Sequence, residues 1–333
     1  MAFANTAYSD LITASIESRT RKTSDNLSNN NPLIGRLKDR GNIKMVSGGT
    51  RVLHETRYND ATTNNVTAYA GYDVVNTTPD SPISAFQFDM KHYVAAVSIS
   101  DTERLTNTGK EAMLELIDER TQICKDRLEN RCDADLHLDG TAGGGKTLIG
   151  LPAMISTTPT TGTYAGIDRA LWPFARNLST TSTIVNGAAA TAANIQNLIN
   201  DVSLKLVRGS DRVDLIYAGL DFYKLYLSSL QSIQRIADES GSAGAGFTSL
   251  KYYGHGASAD VVLGGGIGGN LAANTAYFIN TKHVFWRPHK DRNFVAIGGD
   301  RQSTNQLATT RLMGFSACFT TDGPQFCGIA TTA

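Results

Sequence analysis

The chain has 333 residues, of which 41% are hydrophobic and 19% charged. That length exceeds the size at which a single hydrophobic core usually stops growing, so more than one lobe is expected, and the composition excludes a globally disordered chain. Its 31 basic and 31 acidic residues cancel to a net charge of zero. This excludes a protein held on nucleic acid by an overall basic excess; any such contact is local, weak or multiplied by copy number.

The first 47 residues read as an arm. Turn-forming polar residues dominate SDNLSNNNPLIG, and Arg19, Arg21, Lys22, Arg36, Lys38, Arg40 and Lys44 cluster around it, with Asp25 and Asp39 the acids in that interval. A solvated segment and an arm laid on a neighbouring subunit or facing nucleic acid both fit this run. The opening MAFANTAYSDLI lacks the basic start and apolar core of a signal peptide, and no apolar run reaches the length of a membrane span.

Residues 48–90 form the next unit. TRVLHETRY predicts one strand and SAFQFDM another, with Phe86, Phe88 and Met90 alternating against Gln87 and Asp89. The polar stretch between them has little to bury and predicts a protruding two-stranded loop that needs a partner surface. Tyr93, Ala95, Val97 and Ile99 carry on the alternation in the opposite phase, which predicts a bulge or bend near Lys91 and His92.

The main helix is predicted over Thr102–Leu136, with Gly109 interrupting its first turn and the part from Lys110 onward about 40 Å long. Ile117, Cys124, Leu128, Cys132 and Leu136 share one face, and the rest is densely charged. Such a helix lies across a sheet or beside another subunit. Asp118, Glu119, Asp126 and Glu129, on its polar face, suit a solvated or intersubunit role better than acid–base catalysis.

After a glycine run, LIGLPAMISTTPTTGTYAGIDRALWPFARN reads as loop-rich. An α/β-like lobe follows. Ile195, Leu198, Ile199, Val202 and Leu206 have helical spacing, RVDLIYAG alternates as a strand, and Asp221 is placed to cap a helix through FYKLYLSSLQSI. A flexible ESGSAGAGF leads to short strands at DVVL, TAYFIN and HVFWRP. The C-terminal stretch reads as two strands around the turn TDGP.

Gly140–Thr147, GTAGGGKT, fits the nucleotide-binding pattern G-x-x-x-x-G-K-[ST]. A phosphate site there requires a buried strand entering the glycine loop and a helix starting at Lys146. Here a long charged helix precedes the loop, and Gly150 and Pro152 argue against a helix after it. The glycines fit a turn closing a helix. A second decoy, GGGIGG at 264–269, satisfies G-x-G-x-x-G but leads into another strand and reads as a mobile loop. His283 and His289 flank a strand without a third metal ligand, and no G-x-S-x-G elbow occurs. Cys124, Cys132, Cys318 and Cys327 form no C-x-x-C pair and read as free thiols in a reducing cytoplasm. No catalytic residue, cofactor or metal is assigned.

The order of these units resembles that of the major capsid proteins of tailed bacteriophages, the Hong Kong 97 type of fold. SAFQFDMKHYVAAVSISDTERLTNTGKEAMLELIDER is similar to the stretch where the extended loop's return strand enters the spine helix in one branch of that family. DGTAGGGKTLIGLPAMI resembles the glycine turn after that helix, and GIDRALWPFARN a segment that follows. The resemblance implies an α+β fold with an N-terminal arm (1–47), an extended β-hairpin loop (48–90), a peripheral domain with the spine helix (91–152 and 300–333) and an axial domain (153–299). It implies hexamers and pentamers of this chain tiling an icosahedral shell around double-stranded DNA, in a virion assembled in the bacterial host cytoplasm without membrane or cofactor. Arg36, Arg40, Tyr58, Tyr69, Tyr72, Glu119 and Lys146 are then the candidate intersubunit contacts. Portal and cement proteins are implied partners, with DNA contacted non-specifically. Two departures from the family shape the expectation. About 47 residues before the loop are few for a cleaved scaffolding segment, so a separate scaffolding protein is expected. No Lys lies between Met45 and Met90, so a non-covalent shell is expected. The alternatives are a P-loop enzyme using Gly140–Thr147 and another phage structural protein, such as a tail or cement component; the single long helix argues against a purely β tail component.

Overall fold

A computed structural model of the chain describes residues 32–49, 51–58, 66, 68–77, 82–106, 110–230, 250–254, 258–264, 270–302 and 307–333, with the backbone alone for 104–106, 110–118 and 300. The readings placed on residues 1–31, Gly109, the Ile117 and Asp118 side chains, ESGSAGAGF and 265–269 lie outside the described residues.

Helix α1 (Pro32–Asp39) buries Leu33 and Leu37, four residues apart on one face. Strands β1 (Arg51–Arg57) and β2 (Ile83–Asp89) pair antiparallel, from Arg51 opposite Asp89 to Arg57 opposite Ile83. Val52, Phe86 and Phe88 face inward and are buried, while Leu53 and Ile83 are exposed on the outer face. β3 (Lys91–Ser100) alternates as its sequence predicts, with Tyr93, Ala95 and Val97 half-buried and Val94, Ala96 and Ser98 exposed. The expected bulge is a change of sheet instead. β2 pairs with β1 and β3 with a later strand, so the phase shift falls where the chain crosses between ladders at Met90.

Ser100 and Glu103 form a capping box at the start of α2 (Asp101–Thr106): the Ser100 N–H donates to Glu103 Oε2 at 3.1 Å, and the Glu103 N–H to Ser100 Oγ at 3.3 Å. The long helix α3 (Lys110–Leu136) has 27 residues. Cys124, Leu128, Cys132 and Leu136 make its buried stripe. Gly140, Gly143, Gly144 and Gly145 follow at φ +84°, +61°, +69° and +77°, a region glycine enters without a Cβ penalty. Lys91 Nζ donates to the Gly145 carbonyl at 2.6 Å and pins this turn to β3. No helix starts at Lys146, as expected; a one-turn helix α4 (Leu151–Met154) begins only later, with Pro152 in its first turn, where a missing N–H costs no hydrogen bond.

Two short strands, β4 (Thr163–Tyr164) and β5 (Ile167–Asp168), form a small hairpin. Then come β6 (Leu178–Thr181), α5 (Ser182–Asn186), α6 (Ile195–Lys205), β7 (Leu215–Ala218), α7 (Leu220–Ser229), β8 (Leu250–Tyr253), β9 (Ser258–Leu263), β10 (Thr275–Ile279), β11 (Val284–Pro288), β12 (Val295–Gln302), β13 (Ala308–Thr321) and β14 (Gly328–Thr331). Gly219, not Asp221, is the N-cap of α7. Asp221 lies in the first turn, where its charge still opposes the helix dipole, 3.9 Å from Lys224.

Six strands form one sheet in the order β6-β14-β10-β7-β9-β8. All four residues of β7 are buried, so the expected one-sided alternation is absent; the strand is central and covered on both faces. The period of two survives as a partition between cores. Leu215, Tyr217, Val262, Tyr277, Ile279 and Ile329 join the core that includes α1, α3 and the loop strands. Ile216, Ala218, Val261, Ala276, Phe278 and Ala330 join the core under α6 and α7. The second sheet is built on β13, with β3 along one side and β11 and β12 in succession along the other. The two C-terminal strands therefore do not pair with each other: β13 centres the four-stranded sheet and β14 enters the six-stranded one.

Candidate assembly surfaces

The loop strands rest on a seat that the sequence reading left as loop. Arg169 is 4% exposed, and a guanidinium so buried must have its donors matched. It donates to the carbonyls of Ala153 (2.8 Å), Met154 (2.6 Å) and Ala175 (3.2 Å), and it lies over the Tyr164 ring. Arg176 in turn donates to the carbonyls of Arg169 and Ala170. The Arg169 and Arg176 side chains thus tie together the short elements between residues 153 and 176. Onto this platform the Gln87 N–H donates to the Ala165 carbonyl at 2.9 Å. Phe86 and Phe88 pack on Tyr164, and Phe86 also on Phe174. Tyr58 stacks on Phe174 at 4.8 Å and meets Trp172 edge-on at 5.0 Å.

Beyond that root the described residues of the loop are bare. Residues 68–77 are all exposed. Val66 (85%), Tyr69 (66%), Tyr72 (105%) and Val74 (97%) show apolar surface to solvent. Tyr58, Tyr69 and Tyr72 therefore divide: the first is spent within the chain, the other two are free to meet another surface.

Arg36 and Arg40 are also placed within their own chain. Arg36 NH1 is 3.3 Å from Asp260 Oδ2, and Arg40 lies 4.0 Å from both Asp214 and Asp260. Asp214 directly precedes β7 and Asp260 lies within β9, so α1 and the residue after it are tied to the six-stranded sheet. Only 11% of the Arg36 and 17% of the Asp260 side chain is exposed, so removing Asp260 takes an ion-pair partner from a partly desolvated charge. Asp260→Ala is expected to cost about 1–3 kcal/mol, read by denaturant unfolding, and to speed amide exchange across residues 33–40. Lys146 is exposed on the glycine turn, and Glu119 is partly exposed on α3.

His54 stands at the junction of β1 with the four-stranded sheet, stacked on Phe285 at 5.6 Å and 3.1 Å from Thr320 Oγ1. Burial, with Arg287 and Lys44 nearby, lowers its pKa to about 4. The folded chain therefore favours neutral His54, while the unfolded chain takes up a proton near pH 6.5. Its contribution is complete above that pH and declines as the pH falls toward 4. His54→Gln is expected to flatten the stability loss between pH 6.5 and 4 relative to wild type, measured by parallel denaturant titrations.

Among the described residues no group of three His, Cys, Asp or Glu side chains is arranged to hold a metal ion, and no helix is long and apolar enough to cross a membrane. All four cysteines are free and buried. Burial pushes Cys318 and Cys327 up to about 12, which leaves unreactive thiols. His283 stacks on Phe326 and pairs with Asp322 at 2.8 Å, a structural use.

No protein-family model matches the sequence, and no curated protein matches it. The fold has clear relatives among solved structures. The cyanophage A-1(L) capsid protein superposes with a TM-score of 0.65 at 13% identity, over 95% of this chain and 97% of that one. The capsid of the native GTA particle gives 0.56 at 12% identity, over 95% of both chains. The holo-SrpI encapsulin of Synechococcus elongatus PCC 7942 gives 0.53 at 9% identity, over 100% and 96%. The chain has the α+β fold of phage capsid proteins over 95% of its length, in agreement with the resemblance seen in its sequence.

Proposed function

We propose that this is a major capsid protein whose copies assemble as hexamers and pentamers into the icosahedral head shell around the double-stranded DNA of a tailed phage. The carrying observation is a capsid fold whose loop is locked at its root and bare at its tip: a rigid seat holds Tyr69, Tyr72 and Val74 away from the parent core. Tyr is enriched where surfaces meet, and many modest contacts suffice when each subunit makes several. In this reading residues 1–47 are the arm, 48–90 the extended loop, 91–152 with 300–333 the peripheral domain and 153–299 the axial domain. Lys146 and Glu119 are surface charges available to neighbours. A net charge of zero suits a container whose DNA must slide. The role is structural rather than enzymatic, with assembly in the host cytoplasm and with a separate scaffolding protein, a portal and a cement protein as partners.

An encapsulin shares the fold, so the test has two parts. Negative-stain microscopy of the expressed protein, alone and with the phage's own scaffolding and portal proteins, should show closed shells. Portal-bearing shells should then take up DNA. Absence of shells under all these conditions would defeat the reading, and shells that enclose a protein cargo but never DNA would move it to the encapsulins.

A further inference from the structure

Residues 42–46 run parallel to β11, on its edge away from β13. The Lys44 N–H donates to the Trp286 carbonyl (2.9 Å) and the Val46 N–H to the Pro288 carbonyl (3.0 Å). Ile43 is bridged to Trp286 and Val46 to His289 with an unchanged offset, so Lys44 stands beside Arg287. Trp286 is buried in the core, which puts its neighbours Phe285 and Arg287 on the opposite face of the sheet. Lys44 is on that face too: its Nζ lies 4.2 Å from the Phe285 ring centroid, and Arg287 Cζ lies 5.6 Å from the same centroid.

Like charges side by side on neighbouring strands destabilise a sheet. Among the described residues no carboxylate pairs with either cation; Asp322, the acid whose charge reaches His54 beside them, is held by His283 at 2.8 Å. Arg287 is fixed by its Nε–H, which donates to Thr320 Oγ1 at 3.2 Å. Its two terminal nitrogens find no acceptor among the described residues, and the side chain is half-exposed beside an exposed Lys44. His54 stacks on Phe285 next to them. Burial, then the Arg287 and Lys44 charges, keep it neutral down to a pH of about 4. The place therefore holds two positive charges over an apolar ring and no negative charge to offset them.

We infer that Lys44 and Arg287 together bind a phosphate group over the Phe285 ring. A planar guanidinium takes two phosphate oxygens side by side, and an ammonium meets a third as a point charge. Free phosphate and the backbone of a nucleic acid present the same chemistry. Naming duplex DNA as the source rests on the shell reading above. One such pair per copy makes a weak contact repeated over the shell, which agrees with a chain whose net charge is zero.

The test is a titration of the unassembled full-length chain at low salt, with inorganic phosphate and separately with a short DNA duplex. The His54 ring resonances are the reporter. A bound phosphate offsets the Arg287 and Lys44 charges, so the His54 pKa should rise from about 4 as either probe is added. In the double variant Lys44→Gln, Arg287→Gln it should start higher and not move. Lys44→Gln alone replaces an exposed side chain. It should melt within a few degrees of wild type, weaken both probes severalfold and lower the salt slope of duplex binding by about one. No movement of the His54 pKa with either probe, or the same movement in the double variant, would overturn the site. A poly-glutamate peptide bound more tightly than both phosphate probes would overturn phosphate as the ligand. A duplex bound about tenfold more tightly than inorganic phosphate supports the DNA backbone as the source, and equal affinities would overturn that source. None of these readings requires a shell, so failure of the capsid reading and failure of this site are told apart.

Discussion

Replacing residues 59–81 with a short Gly-Ser turn is expected to leave the subunit folded and to abolish closed shells. Every described residue between 66 and 77 is exposed. Burying a large apolar side chain is worth roughly 1.5–3 kcal/mol, and Tyr69, Tyr72 and Val74 contribute little of that within their own chain. The cut must fall after Tyr58, which packs on Trp172 and Phe174. Its N–H also donates to the Pro82 carbonyl at 2.9 Å, so the two ends already meet and a short turn can join them. Thermal unfolding of unassembled subunits should stay cooperative and within a few degrees of wild type. Electron microscopy of the assembly reaction should show no closed shells. Normal shells would remove the loop from the interfaces, and a collapsed melting temperature would place it in the core.

The second large effect is expected at Gly150→Ala, with Lys146→Ala as its contrast. A Cβ at Gly150 would lie 2.2 Å from the Leu136 carbonyl oxygen and 2.5 Å from that of Leu138. Both are backbone atoms at the end of α3, anchored by a buried stripe, so the conflict has no cheap relief. A loss of roughly 3–5 kcal/mol is expected in equilibrium unfolding. Lys146, exposed on the turn, should tolerate alanine within about 0.5 kcal/mol, and neither protein should bind ATP. Wild-type stability for Gly150→Ala would show that the approach of residues 136–150 is not as close as described. Micromolar ATP binding lost in Lys146→Ala would revive the P-loop enzyme.

These two sites also show what the sequence could and could not convey. The glycine run was legible as a turn because the helix precedes it, and α3 was legible because its stripe repeats at helical spacing. The β1/β2 hairpin and most strands of the α/β lobe were legible from alternation. Other features depended on partners far away in sequence. Burial of β7 on both faces requires knowing its neighbours. The roles of Arg36 and Arg40 turn on Asp214 and Asp260, more than 170 residues on. The loop seat was hidden most completely. Arg169 and Arg176 work by donating to main-chain carbonyls, a use that leaves no pattern of residue types. The apolar stretch ALWPFA (170–175), with Trp172 and Phe174 on either side of Pro173, was the available signal, since apolar residues grouped in a loop must be covering something.

The six-stranded sheet is a party wall. Each of its central strands gives alternate residues to two different cores, so neither compartment can lose its packing without exposing the back of the other. Lobes built on separate sheets can melt one at a time; these two have a common partition and a single cooperative transition is what it enforces. In the shell proposed above, strain applied at the loop would reach the far compartment through this wall.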